Sequence, residues 1–463
     1  MAPAYQAPPS PVPPAWPASA PLDAATRLAP PLGWQDYFTD PLLRQLIQTA
    51  LDNNRDLRVA ALRAEEARAA FQIQRADQFP TIGGNAQAAR ARVPGDLNGS
   101  GQSVVGSEYR AEVGLSTWEL DLWGRVRNLK QAALERWLAT GEGRRSVELA
   151  LVAQVADGYI GLREIDERLA RARRSVATRV ESERIYTRRY EVGSSSRLEL
   201  TQVQTLLAQA QVLQMQLEQA RALQLHAFGQ LLGADPGPLP PVLPFDEATV
   251  LADLSPGLPS DLLLARPDIL AAEHQLRAAN ADIGAARAAF FPQISLTGSY
   301  GSASTELDGL FDAGSRAWNF VPLLHVPIFN GGRLRANLDL SEVRRDITVA
   351  QYEQSIQTAF REVADALAVR HWAAERLDVQ RRALQAISER ARLAQLRYSA
   401  GSASFIEVLD AQRDLLDAEQ QVVQFQRELL SSQVALYAAL GGGTAATEGT
   451  AATPPGDNRQ GPP

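Results

Sequence analysis

Two eleven-residue segments, YEVGSSSRLEL from Tyr190 and YSAGSASFIEV from Tyr398, repeat one pattern 208 residues apart. The same offset carries Gly124-Arg125 onto Gly332-Arg333, Val155-Ala156-Asp157 onto Val363-Ala364-Asp365, and Leu232-Gly233 onto Leu440-Gly441. Towards the N-terminus the offset becomes 212, since Phe79-Pro80 matches Phe291-Pro292. A duplication with one four-residue length change constrains the fold more than any single motif, because both copies have to build the same unit.

The repeat organises the chain. Residues 1–38 form a proline-rich strap that reads as extended, 39–233 a first repeat, 234–258 a linker, 259–443 a second repeat, and 444–463 a tail expected to be disordered. The segments Gly124–Tyr190 and Gly332–Tyr398 lack proline. In the second, Tyr352, Ile356, Phe360, Val363 and Leu367 follow spacings of four, four, three and four, the period of a packed helix. Val152, Val155, Tyr159, Leu162, Leu169 and Val176 keep a similar seam in the first. Some 65 helical residues span on the order of 100 Å, so these are rods rather than ordinary helices.

Each rod ends in a glycine, Gly193 or Gly401, placed to stop a helix in the left-handed conformation. Ser196-x-x-Glu199 and Ser404-x-x-Glu407 then read as capping boxes that start returning helices. The tips are therefore tight helical hairpins over 190–197 and 398–405. Further helices are expected over Pro41–Gln78 and Pro267–Ala289, the latter with alanines (Ala278, Ala279, Ala281, Ala285, Ala286) that permit close contact.

Between these helices the period changes to two. From Val113 to Leu122 alternate residues separate, and a Gly/Asn/Ser-rich stretch over Gly95–Gly101 divides this run from Thr81–Val93. That predicts a β-hairpin over 80–123, with a second copy over 292–330 built from Gln293–Ser302 and Ala317–Pro327. The strands approach the 9–11 residues that cross a bilayer when tilted. Aromatics collect at their ends, Trp118, Trp123 and Trp318 with Phe79, Phe291, Phe320 and Phe329. Either a membrane-interface girdle or the packed core of an ordinary sheet accounts for them. Four strands cannot close a barrel and open edges are not tolerated in lipid, so a membrane reading requires an oligomer.

Composition excludes several functions. A net charge of −7 gives no basic face for nucleic acid. With no cysteine the chain has no disulfide, thiolate ligand or cysteine nucleophile. No apolar run approaches the roughly 20 residues of a membrane-spanning helix. The first forty residues lack the apolar core of a signal peptide, and Met1 reads as an engineered or processed start. His226, His274, His325 and His371 are scattered without ligand spacing, and no catalytic, metal or cofactor site is expected.

One divergence between the copies is chemically pointed. Glu407, Asp410, Asp414 and Asp417 share one helix face, where the first repeat has Glu199, Gln202, Leu206 and Gln209. A solvated face is the plain explanation. Glu407 also suits a helix N-terminus, whereas Asp410 and Asp414 lie further in.

GLPSDLLLARPDILAAEHQLRAANADIGAARAAFFPQISLTGSYG from Gly257 resembles the outer-membrane factor family of tripartite efflux systems, the TolC-like channels, on their OprM-type lipoprotein branch. STWELDLWGR from Ser116, GLFDAGSRAW from Gly309, AQYEQSIQTAFREVADALA from Ala350 and VLDAQ from Val408 fit the same branch, and the likeness runs from Trp16 to Gly443. The resemblance implies a mainly α fold with membrane β: a long antiparallel helical barrel in the periplasm, and an outer-membrane β-barrel of four strands per protomer, twelve per homotrimer. It implies a passive exit duct for drug-like solutes that works with a periplasmic adaptor (membrane fusion) protein and an inner-membrane RND pump, the barrel standing in outer-membrane lipid.

Alternatives are a duct for metal ions or for type I secretion, or a non-channel periplasmic scaffold. The family's constriction maps onto Ile406 as an apolar ring and Asp410 as an acidic ring, with Asp414 one turn on. Arg397, with Arg188 and Arg189, is a candidate for ion pairs that hold the closed state. Gly193, Ser194, Gly401 and Ser402 are the expected adaptor contacts. The branch carries a lipidated N-terminal cysteine, and no cysteine stands at that position here.

Overall fold

The computed structural model describes residues 2–16, 33–99, 101–239, 245 and 262–442. The expectations for the rest of the strap, most of the linker and the tail lie outside them. In chain order the elements are α1 (Trp34–Tyr37), α2 (Pro41–Asn53), α3 (Arg55–Ala76), β1 (Ile82–Val93), β2 (Val104–Leu120), α4 (Arg125–Glu191), α5 (Arg197–Leu232), α6 (Leu262–Ala265), α7 (Pro267–Ala288), β3 (Gln293–Ser304), β4 (Arg316–His325), α8 (Arg333–Ser399) and α9 (Phe405–Ala439). The chain divides into two compact units, one from Met1–Pro9, Leu62–Gly141 and Ala271–Glu353, the other from Ser10–Ala61, Glu142–Leu270 and Gln354–Pro463. Both repeats contribute to both units, so the units cut across the duplication.

The first unit contains an antiparallel sheet in the order β1-β2-β3-β4. β3 and β4 pair Tyr300 with Trp318, Leu296 with Pro322 and Ile294 with Leu324. Alternation along each strand therefore puts Ile294, Leu296, Tyr300, Trp318, Phe320 and Leu324 on one face, and Ser295, Thr297, Ser299 and Asn319 on the other. β2 continues both faces, because Val113 pairs with Tyr300, and Glu112 with Gly301. A register shift between Leu115 and Trp118 marks a β-bulge. Without it Thr117 and Glu119 would join Val113 on the apolar face. With it Trp118 and Leu120 do, and Thr117 meets Thr297 across the polar face, Oγ1 to Oγ1 at 3.3 Å. The strict alternation expected over Val113–Leu122 is corrected here, as is strand length, since β2 runs to 17 residues.

Helix ends carry the sheet. Asp121 accepts from the N–H groups of Val126 (3.0 Å) and Arg127 (2.9 Å), capping α4 directly after β2. Ala132, Ala278 and Ala281 form a small-residue contact between α4 and α7. Beside it the His274 Nδ1 lies 2.7 Å from Glu135. The strap is anchored on α7, where Tyr5 donates to Glu273 (3.0 Å) and Asn280 donates to the Pro3 carbonyl (2.9 Å).

The second unit holds the main core, built around Tyr37, Phe38, Ile47, Tyr159, Phe228, Leu430 and Tyr437. Tyr37 stacks on Tyr437 at 4.3 Å. Asp40 caps α2 through the Leu42 N–H (2.8 Å) and accepts from the Tyr159 hydroxyl (2.8 Å), joining a helix start to the core. The single helix expected over Pro41–Gln78 is broken at Asn54. Its backbone is extended, its Oδ1 accepts from the Leu57 N–H (2.9 Å) and its amide donates to the Leu231 carbonyl (2.8 Å). That side chain caps α3 while tying α2 to the end of α5. α4 and α8 each have 67 residues, about 100 Å of helix.

Candidate functional site at the hairpin ends

α4 and α8 stop by the same backbone device. Gly193 and Gly401 take φ of 75° and 72°. The Gly193 N–H reaches the Tyr190 carbonyl (3.0 Å) and the Ser194 N–H reaches Arg189 (2.8 Å). Gly401 and Ser402 repeat this on Tyr398 (2.9 Å) and Arg397 (2.9 Å). These are paired C-terminal bonds around a left-handed residue, which explains why both copies keep glycine. Ser194 and Ser402 hydroxyls donate back to the same arginine carbonyls, at 3.1 and 3.0 Å.

The starts of α5 and α9 differ. Ser196 accepts from the Glu199 N–H (3.1 Å), and Glu199 accepts from the Ser196 N–H (2.8 Å), which completes a capping box. Those bonds, the backbone one first and the Ser195 hydroxyl next, hold the Glu199 carboxyl below its ordinary pKa. The box expected at Ser404 and Glu407 does not form. Ser404 makes no side-chain cap; the Glu407 N–H donates to the Ser404 carbonyl instead (3.2 Å), and the Glu407 carboxylate, which would close the other half of the box, pairs with Arg397 at 3.0 Å. The equivalent arginine in the first repeat, Arg189, is turned away to the Tyr398 hydroxyl (2.6 Å), which leaves Glu199 free to fold back.

Tyr398 is the centre of a cluster that the sequence did not single out. Its hydroxyl lies 2.7 Å from that of Tyr186, and Phe405 stacks on Tyr186 at 4.2 Å. Burial, then the hydrogen bond to Tyr398, pushes the Tyr186 phenol above its ordinary value. Arg189 also lies over the Tyr186 ring at 5.3 Å. The one available signal was that Tyr398 repeats Tyr190 inside the duplicated segment.

The acidic stripe is also more structured than a solvated face. Asp414 pairs with Arg390 of α8 at 2.8 Å and with Arg413 at 3.2 Å, and Asp410 pairs with Arg413 at 3.4 Å. Asp417 lies close enough to the buried Arg179 to offset part of the fall in its pKa that burial causes. Ile406 is exposed. Of the tip arginines, Arg188 pairs, among the described residues, with its neighbour Glu191 (3.0 Å). Ile406, Asp410, Asp414 and Arg397 therefore lie along the α8–α9 end, with Arg390 and Arg413 added by the structure.

At the sheet, Trp118 and Trp123 reach backbone at its helix end. Trp118 donates to Gln78 (3.3 Å) and Trp123 to Pro292 (2.8 Å), and Trp123 stacks on Phe291 at 4.9 Å. Trp318 is exposed on the apolar face, four residues further along β3 by pairing.

The model of the outer membrane efflux protein family matches residues 46–234 and 258–442, one stretch per repeat. The chain belongs to that family. It is 45% identical over 447 residues to the antibiotic efflux pump outer membrane protein ArpC of Pseudomonas putida, covering 96% of this chain and 92% of that one. It is 48% identical over 411 residues to the toluene efflux pump outer membrane protein TtgI of the same species, covering 88% and 87%. Among solved structures it matches the open state of the Neisseria gonorrhoeae MtrE outer membrane channel at 37% identity and a TM-score of 0.88, covering 96% of this chain and 98% of that one. This efflux protein is thus an outer-membrane channel component, and its family is one of channels rather than of enzymes.

Proposed function

We propose that three copies of this chain form a passive duct that carries apolar solvents and antibiotic-like solutes across the periplasm and outer membrane. The sheet carries the reading. It has one face dominated by apolar side chains, an opposite face with more polar ones among which Val321 and Leu323 also stand, and two free edges at β1 and β4. Unpaired backbone is intolerable in hydrocarbon, so each edge needs a partner strand. Three copies close twelve strands around their polar faces, with Trp118, Trp123 and Trp318 at the lipid interface. The substrate class follows from relatives named for antibiotic and toluene efflux.

The energy source lies in a partner pump, reached through an adaptor that packs against the small residues Gly193, Ser194, Gly401 and Ser402. Ile406 and Asp410 form the constriction. Asp414 and Arg397 hold α9 to α8 beside it, and three converging Asp410 carboxylates attract cations to the entrance.

Light scattering in detergent, corrected for the micelle, is expected to give three chains per particle. In a host whose own channel is deleted but whose pump and adaptor remain, the chain is expected to restore resistance to toluene and to antibiotics. A stable single chain with its strand content intact contradicts the duct.

A further inference from the structure

Charge is sorted by sign between the two faces of the sheet. β1 pairs Gly84 with Val113, Ala88 with Tyr109, Arg90 with Ser107 and Arg92 with Val105. Arg90 and Arg92 therefore belong to the face of Val113, Tyr300 and Trp318. Arg316, paired with Ser302, opens β4 on the same face. Along the paired positions that face carries these three arginines and no acid. The opposite face carries Glu108, Glu112 and Glu119 with one arginine, Arg110. There every charge is engaged. Arg110 pairs with Glu108 (2.5 Å), Arg125 with Glu119 (2.5 Å), and Glu112 accepts from the Ser299 hydroxyl (2.7 Å). Among the described residues, none of Arg90, Arg92 and Arg316 meets an acid, and Arg92 donates to the Ser103 hydroxyl at 3.2 Å.

Position along the strand gives these charges a setting. Arg90 and Arg92 lie eight and ten residues beyond Ile82, the first residue of β1, which is about 27 and 34 Å of strand. Tilted by roughly 40°, those lengths become about 20 and 26 Å across a membrane, the height of a lipid-facing apolar band of about 25 Å. Between Ile82 and Arg90 that face of β1 holds only Gly84, Ala86 and Ala88, and Tyr109 stands beside Ala88. The first charge thus appears where the apolar band ends. An arginine on the lipid face is costly at the bilayer midplane and nearly neutral at the interface, where its guanidinium reaches headgroups. The long helices leave the other end of the sheet for the periplasm, so this end meets the outer leaflet.

We propose that Arg90 and Arg92 bind the phosphates of the outer-leaflet glycolipid, lipopolysaccharide, and that Arg316 offers the same leaflet a further cation on β4. The inference rests on the duct proposed above, which turns this face of the sheet to lipid. Two residues apart on one face, Arg90 and Arg92 have Cα atoms about 7 Å from each other. Each guanidinium can hold a phosphate through two parallel N–H donors. A phosphodiester lipid brings one negative charge to this pair of cations, whereas a multiply phosphorylated sugar headgroup matches both. Tyr109, diagonal to Arg90, places an amphipathic ring at the boundary between acyl chains and headgroup.

The test immobilises full-length parent and variants in a neutral detergent and measures retention of fluorescent lipopolysaccharide, its dephosphorylated form or phosphatidylglycerol. The parent is expected to retain lipopolysaccharide about tenfold more strongly than the dephosphorylated form. Arg90→Gln with Arg92→Gln is expected to lose that preference, and Arg90→Lys with Arg92→Lys to keep most of it. Glu108→Gln with Arg110→Gln removes an ion pair from the opposite face at unchanged net charge, and is expected to bind like the parent. A preference that survives Arg90→Gln/Arg92→Gln, or falls equally in the opposite-face variant, overturns the site. Equal retention of the dephosphorylated lipid by the parent also overturns it, and equal retention of phosphatidylglycerol reduces the pair to a general anion surface and overturns the glycolipid assignment. Light scattering counts the chains in each sample. Three chains per particle beside any of these results leave the duct standing, whereas one chain per particle overturns the duct and the lipid face together.

Discussion

At the end of α4, Gly193 turns the chain, Ser196 and Glu199 close a capping box, and Arg189 reaches away to Tyr398. At the end of α8, Gly401 turns the chain through the same bonds, yet Ser404 caps nothing, Arg397 holds Glu407, and Arg390 holds Asp414. Duplication supplied one backbone twice, and divergence then worked on side chains alone. In the first tip the acid serves its own helix. In the second the acids serve the contact between two helices. A local cap is insensitive to how α9 lies against α8, whereas an interhelical ion pair breaks when they separate. That difference is what the proposed constriction at the second tip asks of one tip and not of the other.

The largest contrast is expected from bulk at the glycines. No heavy atom lies within 4 Å of a Cβ built at Gly193 or Gly401. The backbone cost of alanine at either is therefore about 1 kcal/mol, and both Gly→Ala variants are expected to assemble and export. Gly401→Trp is expected to insert and assemble but to lose efflux in a complementation assay, by filling the proposed adaptor groove. If Gly401→Ala abolishes efflux as completely, the glycine is only a helix stop.

A smaller effect is expected at the aromatic cluster. Tyr398→Phe removes the hydroxyl shared by Tyr186 and Arg189, at a cost of about 1 kcal/mol. Because Arg189 is then free to compete for Glu199, the first tip is expected to become more like the second. Amide exchange at Ser196, whose N–H donates to the Glu199 carboxylate, is expected to rise in Tyr398→Phe, although the substitution lies in the other repeat; unchanged exchange there separates the tips.

The smallest expected effects are in the caps. Ser196→Ala is expected to cost about 1 kcal/mol of local stability, and Ser404→Ala close to nothing, read as exchange of the first-turn amides of α5 and α9. Glu199 also gives the first cap an acid dependence. Its folded pKa is depressed, so its contribution is complete above the ordinary carboxylate value of about 4.3 and is lost as pH falls through the depressed one. Protection of the Ser196 amide, which donates to the Glu199 carboxylate, is expected to fall over that acid range, and Glu199→Gln to flatten the profile.

Much of the architecture was legible because it is periodic. Helical rods, glycine stops and two β-hairpins all leave spacing in the sequence, and the repeat supplied each signal twice. The bulge at Ser116–Thr117 was not legible, since one extra residue inverts the alternation that locates a strand. Asn54 was missed because asparagine is tolerated within a helix, and only the distant Leu231 carbonyl makes a break there favourable. At the second tip the acids stood out by comparison with the first repeat. Arg390, 24 residues from Asp414, and Tyr186, 212 residues from Tyr398, did not, because tertiary packing alone brings each pair together.

The proposed constriction at the second tip is tested most directly by single-channel conductance in planar bilayers. Asp410→Ala with Asp414→Ala releases Arg390 and Arg413 and empties the proposed acidic ring. The matched change in the first repeat is Gln202→Ala with Leu206→Ala. The predicted result is a several-fold rise in conductance for the first pair, a parental value for the second, and recovery of the closed level when Asp414→Arg is combined with Arg390→Asp on a background that keeps Asp410. Equal conductance in parent and Asp410→Ala/Asp414→Ala, or an equal rise from both pairs, contradicts it.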